Sequence, residues 1–207
     1  MCYLVFFAAL GILSILFPGI DLNSYEQTDL NRLLEEEPLR LMFLAVILAP
    51  LIEEGMFRTL IIPSPNELIF FICTWLLVIS LAIIPEDVYW MIKYGFLVLL
   101  IILSFIFLKE FIPLKWQRSL CAFLGKYYKI IWALTAVVFG MVHIFNYVEG
   151  FELNFVLVLL IFPRIIAGYF FGKIKVENKS LIWPIAMHAM NNGLVFVFLL
   201  PRILFST

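Results

Sequence analysis

Long apolar stretches separated by short charged segments dominate the pattern of the chain. A transmembrane helix needs about 20 mostly apolar residues, and stretches of that length recur with few charges inside them. We predict about seven spans, at residues 3–20, 39–62, 68–84, 88–108, 130–148, 153–172 and 181–201. No stretch alternates apolar and polar residues as a half-buried strand would. The pattern therefore predicts an all-α, polytopic transmembrane helical bundle.

The segments between these stretches differ in charge. Three are acidic, at residues 21–37, 86–87 and 149–152, and two are basic, at residues 109–129 and 173–179. Because basic loops stay in the cytoplasm, we predict a multi-pass plasma-membrane protein with a cytoplasmic N-terminus and an outside C-terminus. The apolar N-terminus has no basic start and no small-residue cleavage site, so we expect residues 3–20 to be a retained span. The alternative is six spans, with residues 39–62 forming a re-entrant segment.

The composition restricts the class of protein. Hydrophobic residues make up 64% of the 207 positions and charged residues 14%, with a formal net charge of −1. Soluble domains are about 45–50% apolar and about 25% charged, so the chain fits neither a soluble nor a disordered protein. The small net charge and the lack of a basic stripe exclude a basic nucleic-acid-binding protein. Without internal repeats, residues 1–207 are predicted to form one integral domain in the lipid bilayer.

A few polar residues interrupt the predicted spans. They are Glu53, Glu54 and Arg58 in the second span, His143 in the fifth, Arg164 in the sixth, and His188, Asn191 and Asn192 in the last. A charge at bilayer depth costs roughly 2.5–3.5 kcal/mol, so such residues are rare and usually belong to a functional site. A rise of about 1.5 Å per residue puts the groups of the second, fifth and last spans at similar depths. We therefore predict that three helices present them to one polar cavity inside the bundle.

The spacing of these residues suggests how they are arranged. Glu54 and Arg58 are four residues apart, which favours an ion pair on one helix face and leaves Glu53 free for another role. His188 and Asn192 are also four residues apart, so an imidazole and an amide lie side by side and could donate to an oxyanion. Phe139 precedes His143 by four residues, so its ring is expected to pack beside that imidazole.

This set of side chains suits hydrolysis by an activated water. A carboxylate in a low-dielectric pocket can take a proton from water, and an imidazole opposite it can hold that water. No serine or cysteine adjoins a histidine at membrane depth, and the HExxH motif is absent. From spacing alone, Glu53, His143 and His188 could hold a divalent metal such as zinc, or they could work without an ion.

Three ordered motifs resemble those of the CPBP family, which groups type II CAAX prenyl endopeptidases with bacteriocin-processing and Abi proteins. They are Glu53-Glu54-x-x-x-Arg58, Phe139-x-x-x-His143 and His188-x-x-x-Asn192. The stretch from Arg164 through Gly168 and Gly172 to His188 is similar to the closing segment of that family. The resemblance covers residues 39–200, the predicted catalytic core.

The resemblance implies a glutamate-dependent intramembrane endopeptidase. The implied roles are Glu53 as the catalytic carboxylate, His143 as its partner on the water, His188 and Asn192 as the oxyanion site, and Glu54, Arg58 and Phe139 as supporting residues. The implied substrates are CAAX-like peptides or bacteriocin and leader peptides, entering from the membrane or from the cytoplasmic side. The resemblance leaves the dependence on a metal open.

Two non-enzymatic functions compete with this hypothesis. A bacteriocin-immunity or scaffold protein could reuse a protease site for binding, and a proton-coupled transporter could place titratable groups in the membrane. A transporter usually shows repeats with broken helices in corresponding positions, and the sequence shows no such symmetry. A peptidase requires Glu53 and His143 close enough to share a water, with His188 and Asn192 facing the same cavity.

Overall fold

Helices account for every regular element in residues 11, 25, 27–85, 87–148, 150 and 152–205, which the computed structural model describes. In chain order they are α1 (Thr28–Glu36), α2 (Pro38–Phe43), a π-helical segment (Leu44–Leu48), α3 (Ala49–Phe57), α4 (Pro65–Ile83), α5 (Trp90–Phe111), α6 (Leu114–Lys126), α7 (Tyr128–Val142), a 3₁₀ turn (His143–Asn146), α8 (Phe155–Asn178) and α9 (Ile182–Phe205). The prediction of an all-α polytopic bundle is confirmed.

Four of the described helices are long and apolar enough to cross a membrane. They are α4, α5, α7 extended by its 3₁₀ turn (Tyr128–Asn146), and α8, and α9 contributes a shorter apolar stretch, Ile182–Phe198. These helices correspond to the third through seventh predicted spans. The first predicted span, residues 3–20, lies outside the described residues apart from Gly11.

The second predicted span differs from the expected helix in two ways. The helical backbone runs from Pro38 to Phe57, not to residue 62 as predicted. The helix does not resume before residue 62, because Ile62 takes a left-handed conformation with φ of 51° and Pro63 and Pro65 cannot continue a helix interior. The second difference is the π-helical turn just before α3, a feature that is often found at functional sites.

The predicted basic loop at residues 109–129 is largely helical, which corrects the loop assignment. Helix α6 occupies Leu114–Lys126 and carries Lys115, Arg118 and Lys126. Charged, polar and apolar residues are interspersed along it, as in a helix that lies along a membrane surface. A groove of about 670 Å³ runs between α4 and α6 and contains none of the predicted site residues.

Close contacts between small residues join α7 and α8. A side chain at Gly168 would meet the backbone of Ala136 at 3.0–3.1 Å, and one at Gly172 would collide with Trp132. The indole Nε1 of Trp132 donates a hydrogen bond to the carbonyl of Tyr169 over 2.9 Å. This packing holds the end of α7, which carries His143, against α8.

The bundle has two ends with different charge. We call the end formed by residues 58–67, 111–128 and 173–182 the basic end, and the end formed by residues 25, 27–37, 84, 85, 87–89, 146–148, 150 and 152–154 the acidic end. At the basic end, Lys175 pairs with Glu67, which also completes the capping box of α4 with Ser64. At the acidic end, the Nδ2 of Asn154 donates to the Tyr25 hydroxyl over 2.6 Å. Each long helix therefore runs between the two ends.

Candidate active site

Two contacts fix α9 antiparallel to the helix that carries the paired glutamates. The Nδ1 of His188 lies 2.9 Å from Oε1 of Glu54. One turn further along α9, the Nδ2 of Asn192 donates to the carbonyl of Ala45 over 2.8 Å. Together with α7, which ends at His143, these helices bring the predicted site residues to one place, as the sequence predicted.

The free carbonyl of Ala45 has a local cause. Proline has no N–H, so Pro50 cannot donate to a carbonyl one turn upstream. In the π-helical segment the N–H of Ala49 donates to the carbonyl of Leu44. The next carbonyl, that of Ala45, would therefore accept a hydrogen bond from the N–H of residue 50. The Asn192 amide supplies the missing donor. Sequence analysis missed this contact, although Pro50 was the signal for it.

Glu53 and Glu54 differ sharply in their surroundings. The Glu54 side chain is fully buried, whereas 25% of the Glu53 side chain is exposed. The Oε2 of Glu53 lies 3.7 Å from Nε2 of His143 and 3.9 Å from Nε2 of His188. This oxygen makes no hydrogen bond within the described part of the chain. Glu53 is thus the carboxylate that faces both imidazoles.

Glu54 and Arg58 form the predicted ion pair. The Nε of Arg58 lies 3.2 Å from Oε2 of Glu54, and both side chains are fully buried. These two atoms are within ion-pairing distance but are not aligned as a hydrogen bond. The guanidinium also lies over the Phe139 ring, 4.7 Å from its centroid. The charge of Arg58 is therefore balanced by one carboxylate and one aromatic face.

Backbone and side-chain acceptors orient both histidine rings. The Nδ1 of His143 lies 2.6 Å from the carbonyl of Phe139, and the Nδ1 of His188 contacts the carboxylate of Glu54. Because both partners are acceptors, each Nδ1 carries the proton, and each Nε2 faces Glu53.

Aromatic rings enclose the two imidazoles. The Phe139 ring lies 4.8 Å from the His143 ring, as the sequence predicted, and 5.8 Å from the His188 ring. Phe171 of α8 stacks on His188 at 4.8 Å. These contacts restrict rotation of both rings, so their orientation toward Glu53 is held by packing as well as by hydrogen bonds.

A cavity of about 280 Å³ joins these groups. Its polar lining consists of Glu53, His143, Arg164, His188 and Asn192, with Gln27 and Asn146 also on its wall. Asn191 is not among the lining residues and donates to Asn192 over 3.4 Å. Sequence analysis noted Arg164 as a charge inside a predicted span but did not assign it to the site. The direction in which it points could not be read from the sequence.

The arrangement does not fit the metal site that spacing allowed. No group of three or more His, Cys, Asp or Glu side chains that could hold a metal ion occurs among the residues described. The Oε2 of Glu53 lies 3.7 Å from Nε2 of His143 and 3.9 Å from Nε2 of His188. Ligands about 2.0–2.2 Å from a tetrahedral zinc ion stand closer together than that.

The fold and this site define a polytopic helical membrane protein with a polar cavity inside the bundle. Residues 35–194 match the family model described as type II CAAX prenyl endopeptidase Rce1-like. The match covers well over half of the 207 residues, and the chain belongs to this family. The resemblance to CPBP proteins is thereby confirmed, and at the level of the family the chain is a CAAX-type intramembrane protease. No curated protein and no solved structure matches the chain.

Proposed function

We propose that this protein hydrolyses a peptide bond with a water molecule activated by Glu53. The observation that carries the proposal is the position of Glu53 Oε2, 3.7 and 3.9 Å from the Nε2 atoms of two histidines. Those separations exceed a direct hydrogen bond and suit a water that bridges the groups. Of the two adjacent glutamates, Glu53 is the one that lines the cavity.

In the proposed reaction, Glu53 takes a proton from water while the water oxygen bonds to the carbonyl carbon of the substrate. His143 holds the water through Nε2. In the tetrahedral intermediate the former carbonyl oxygen carries the negative charge. Glu53 then passes the proton to the leaving nitrogen, the carbon–nitrogen bond breaks, and a carboxyl and an amine are released. No covalent intermediate with the protein is needed.

His188 and Asn192 are the proposed oxyanion donors. His188 already donates from Nδ1 to Glu54, so Nε2 can donate only when the ring carries both protons. Asn192 uses one amide hydrogen for Ala45, and an amide carries two. Each residue can therefore keep its structural bond and stabilise an oxyanion.

The direction of the cavity supports a peptidase over a transporter. Its lining residues extend from the level of Glu53 and His188 toward the acidic end, where Gln27 and Asn146 contribute. None of the lining residues belongs to the basic end as defined above. A transporter needs access to each side in turn, and these residues provide a route toward one side, whereas a peptidase needs only one route for substrate and products.

The proposed substrates are CAAX-like peptides or bacteriocin and leader peptides. Purified protein would be incubated with a prenylated CAAX-like peptide and with a peptide library, with and without chelator, and the products read by mass spectrometry. We expect Glu53→Ala and His143→Ala each to abolish cleavage, since general-base catalysis contributes about 10²–10⁴-fold.

A control separates loss of chemistry from loss of the fold. Phe145→Ala alters a side chain in the same 3₁₀ turn as His143 that is 55% exposed and points away from the core. It should cleave like the wild type. Full proteolysis by purified Glu53→Ala would refute the proposed mechanism.

A further inference from the structure

Arg164 is a cation that lines the cavity. It lies nine residues into α8, directly after Pro163, and lines the same cavity as Glu53 and His143. It interacts electrostatically with both of those residues. Within the part of the chain that the structure describes, no carboxylate is close enough to form a salt bridge with it.

An arginine at this depth that has no carboxylate partner among the described residues calls for an explanation. A charge inside a membrane-spanning segment is expensive and usually has a partner or a function. Arg58, the other arginine near the site, is fully buried and paired with Glu54, so its charge is balanced inside the bundle. Arg164 is only half-buried and its charge is available to whatever enters the cavity.

The chemistry of an arginine indicates what it would bind. The planar guanidinium presents parallel N–H donors that match both oxygens of a carboxylate. In the lining of the cavity the other polar groups are a carboxylate, imidazoles and amides. None of these would bind a carboxylate as strongly as Arg164.

We propose that Arg164 binds the free C-terminal carboxylate of the substrate and so selects peptides cleaved close to their C-terminus. This inference rests on the proposed function. A CAAX motif is by definition C-terminal, so the released fragment ends in a carboxylate. An extended chain advances about 3.3–3.6 Å per residue, and a carboxylate a few residues beyond the cleaved bond lies within reach of a second group in the same cavity.

Binding of a C-terminal carboxylate by Arg164 would distinguish the two proposed substrate classes. A bacteriocin leader cut far from its C-terminus would present no carboxylate to Arg164. A CAAX-like peptide would present one in each molecule. Arg164 is therefore a specificity-determining residue that acts on the substrate, and it takes no part in proton transfer.

The test compares two peptides that differ only at their end. A peptide that the wild type cleaves and Glu53→Gln does not is prepared with a free C-terminal carboxylate and with a C-terminal amide. Because hydrogen bonds to charged groups are strong, we expect kcat/KM to be at least about tenfold higher for the carboxylate form. In Arg164→Gln the ratio between the two peptides should fall to about 1, and Arg164→Lys should restore part of it.

A matched variant controls for the loss of a positive charge from α8. Lys173 is 49% exposed and pairs with Glu177 at the basic end, away from the cavity. Lys173→Gln should keep the wild-type ratio. A ratio that stays high in Arg164→Gln, or a wild type that cleaves both peptides equally, would overturn the role of Arg164 while leaving the peptidase intact.

A binding measurement separates this inference from the proposed mechanism. In the Glu53→Gln background, which cannot activate water, the carboxylate peptide should bind at least about tenfold more tightly than the amide peptide. The preference should vanish in Glu53→Gln with Arg164→Gln. Equal binding of both peptides would refute the binding of the C-terminal carboxylate by Arg164. If instead the wild type cleaves no peptide faster than Glu53→Gln does, the proposed function itself fails.

Discussion

Two adjacent glutamates have different surroundings because neighbouring helical positions lie about 100° apart. Glu54 turns into the bundle, where it meets Arg58 and His188. Glu53 turns to the cavity wall. At this scale, one step along the helix separates a buried structural carboxylate from the proposed catalytic one.

The buried ion pair gives a prediction about stability. Glu54→Ala would leave Arg58 buried with no carboxylate and would remove the acceptor that orients His188. Breaking a buried pair in this way costs about 3–5 kcal/mol. We expect the unfolding temperature of the purified protein to fall clearly and cleavage to be lost with it.

Glu53→Ala is the matched comparison, because it removes the same group one position away. The Glu53 side chain is partly exposed and makes only longer-range contacts with the two histidines. Glu53→Ala should therefore leave the unfolding temperature close to that of the wild type. If Glu54→Ala unfolded at the wild-type temperature, the pair with Arg58 would not support the fold.

At the scale of elements, the site depends on how closely α7 and α8 approach. Gly168 allows the backbone of α8 to touch Ala136 of α7. That contact lies one helical turn from both Arg164 on α8 and Phe139 on α7. The distance between the two helices therefore also sets the position of His143 relative to Arg164.

The close approach can be tested with a single methyl group. In Gly168→Ala the new Cβ would lie 3.0 Å from the Ala136 carbonyl oxygen, and because backbone cannot give way easily, overpacking should cost about 1–3 kcal/mol. Gly95→Ala, in α5, has nothing within 4 Å and should be neutral or slightly stabilising. Thermal unfolding of the two variants would decide the matter, and equal unfolding temperatures would contradict this account of the packing.

Contacts within one helix could be predicted from the sequence, and contacts between distant segments could not. The Glu54–Arg58 pair and the packing of Phe139 on His143 follow from a spacing of four residues. The bonds from His188 to Glu54 and from Asn192 to Ala45 join positions 134 and 147 residues apart. They depend on the register of α9 against the π-helical segment and α3, which no local pattern specifies.

Helix ends were the other feature that hydropathy did not determine. Apolar residues resume at Leu60, Ile61 and Ile62 after Arg58 and Thr59, so the pattern extended the second span too far. The backbone ends the helix at Phe57, where Arg58 turns inward and prolines follow. In the basic segment at residues 109–129 the charges led to the prediction of a loop, although much of the segment forms the helix α6. Hydropathy measures preference for lipid, and helix boundaries depend on backbone chemistry as well.

At the scale of the whole molecule, the predicted orientation decides from which side a substrate could reach the cavity. The predicted orientation places the basic end in the cytoplasm and the acidic end outside. The cavity extends from Glu53 toward the acidic end. With that orientation a substrate that reaches the cavity from the acidic end would come from outside, so of the two predicted entry routes, the membrane and the cytoplasmic side, only the membrane agrees with it.

Cysteine labelling in intact cells tests the predicted orientation. In a chain whose native cysteines (Cys2, Cys73 and Cys121) are replaced by serine, single cysteines are introduced at exposed positions of each end, as Glu152→Cys and Lys179→Cys. With the orientation set by the basic segments, a membrane-impermeant thiol reagent should label Glu152→Cys at once and Lys179→Cys only after permeabilisation. The reverse pattern would refute that orientation and open the cavity to the cytoplasm. Since the helices run between the two ends, the side reached by the substrate follows directly from which cysteine reacts.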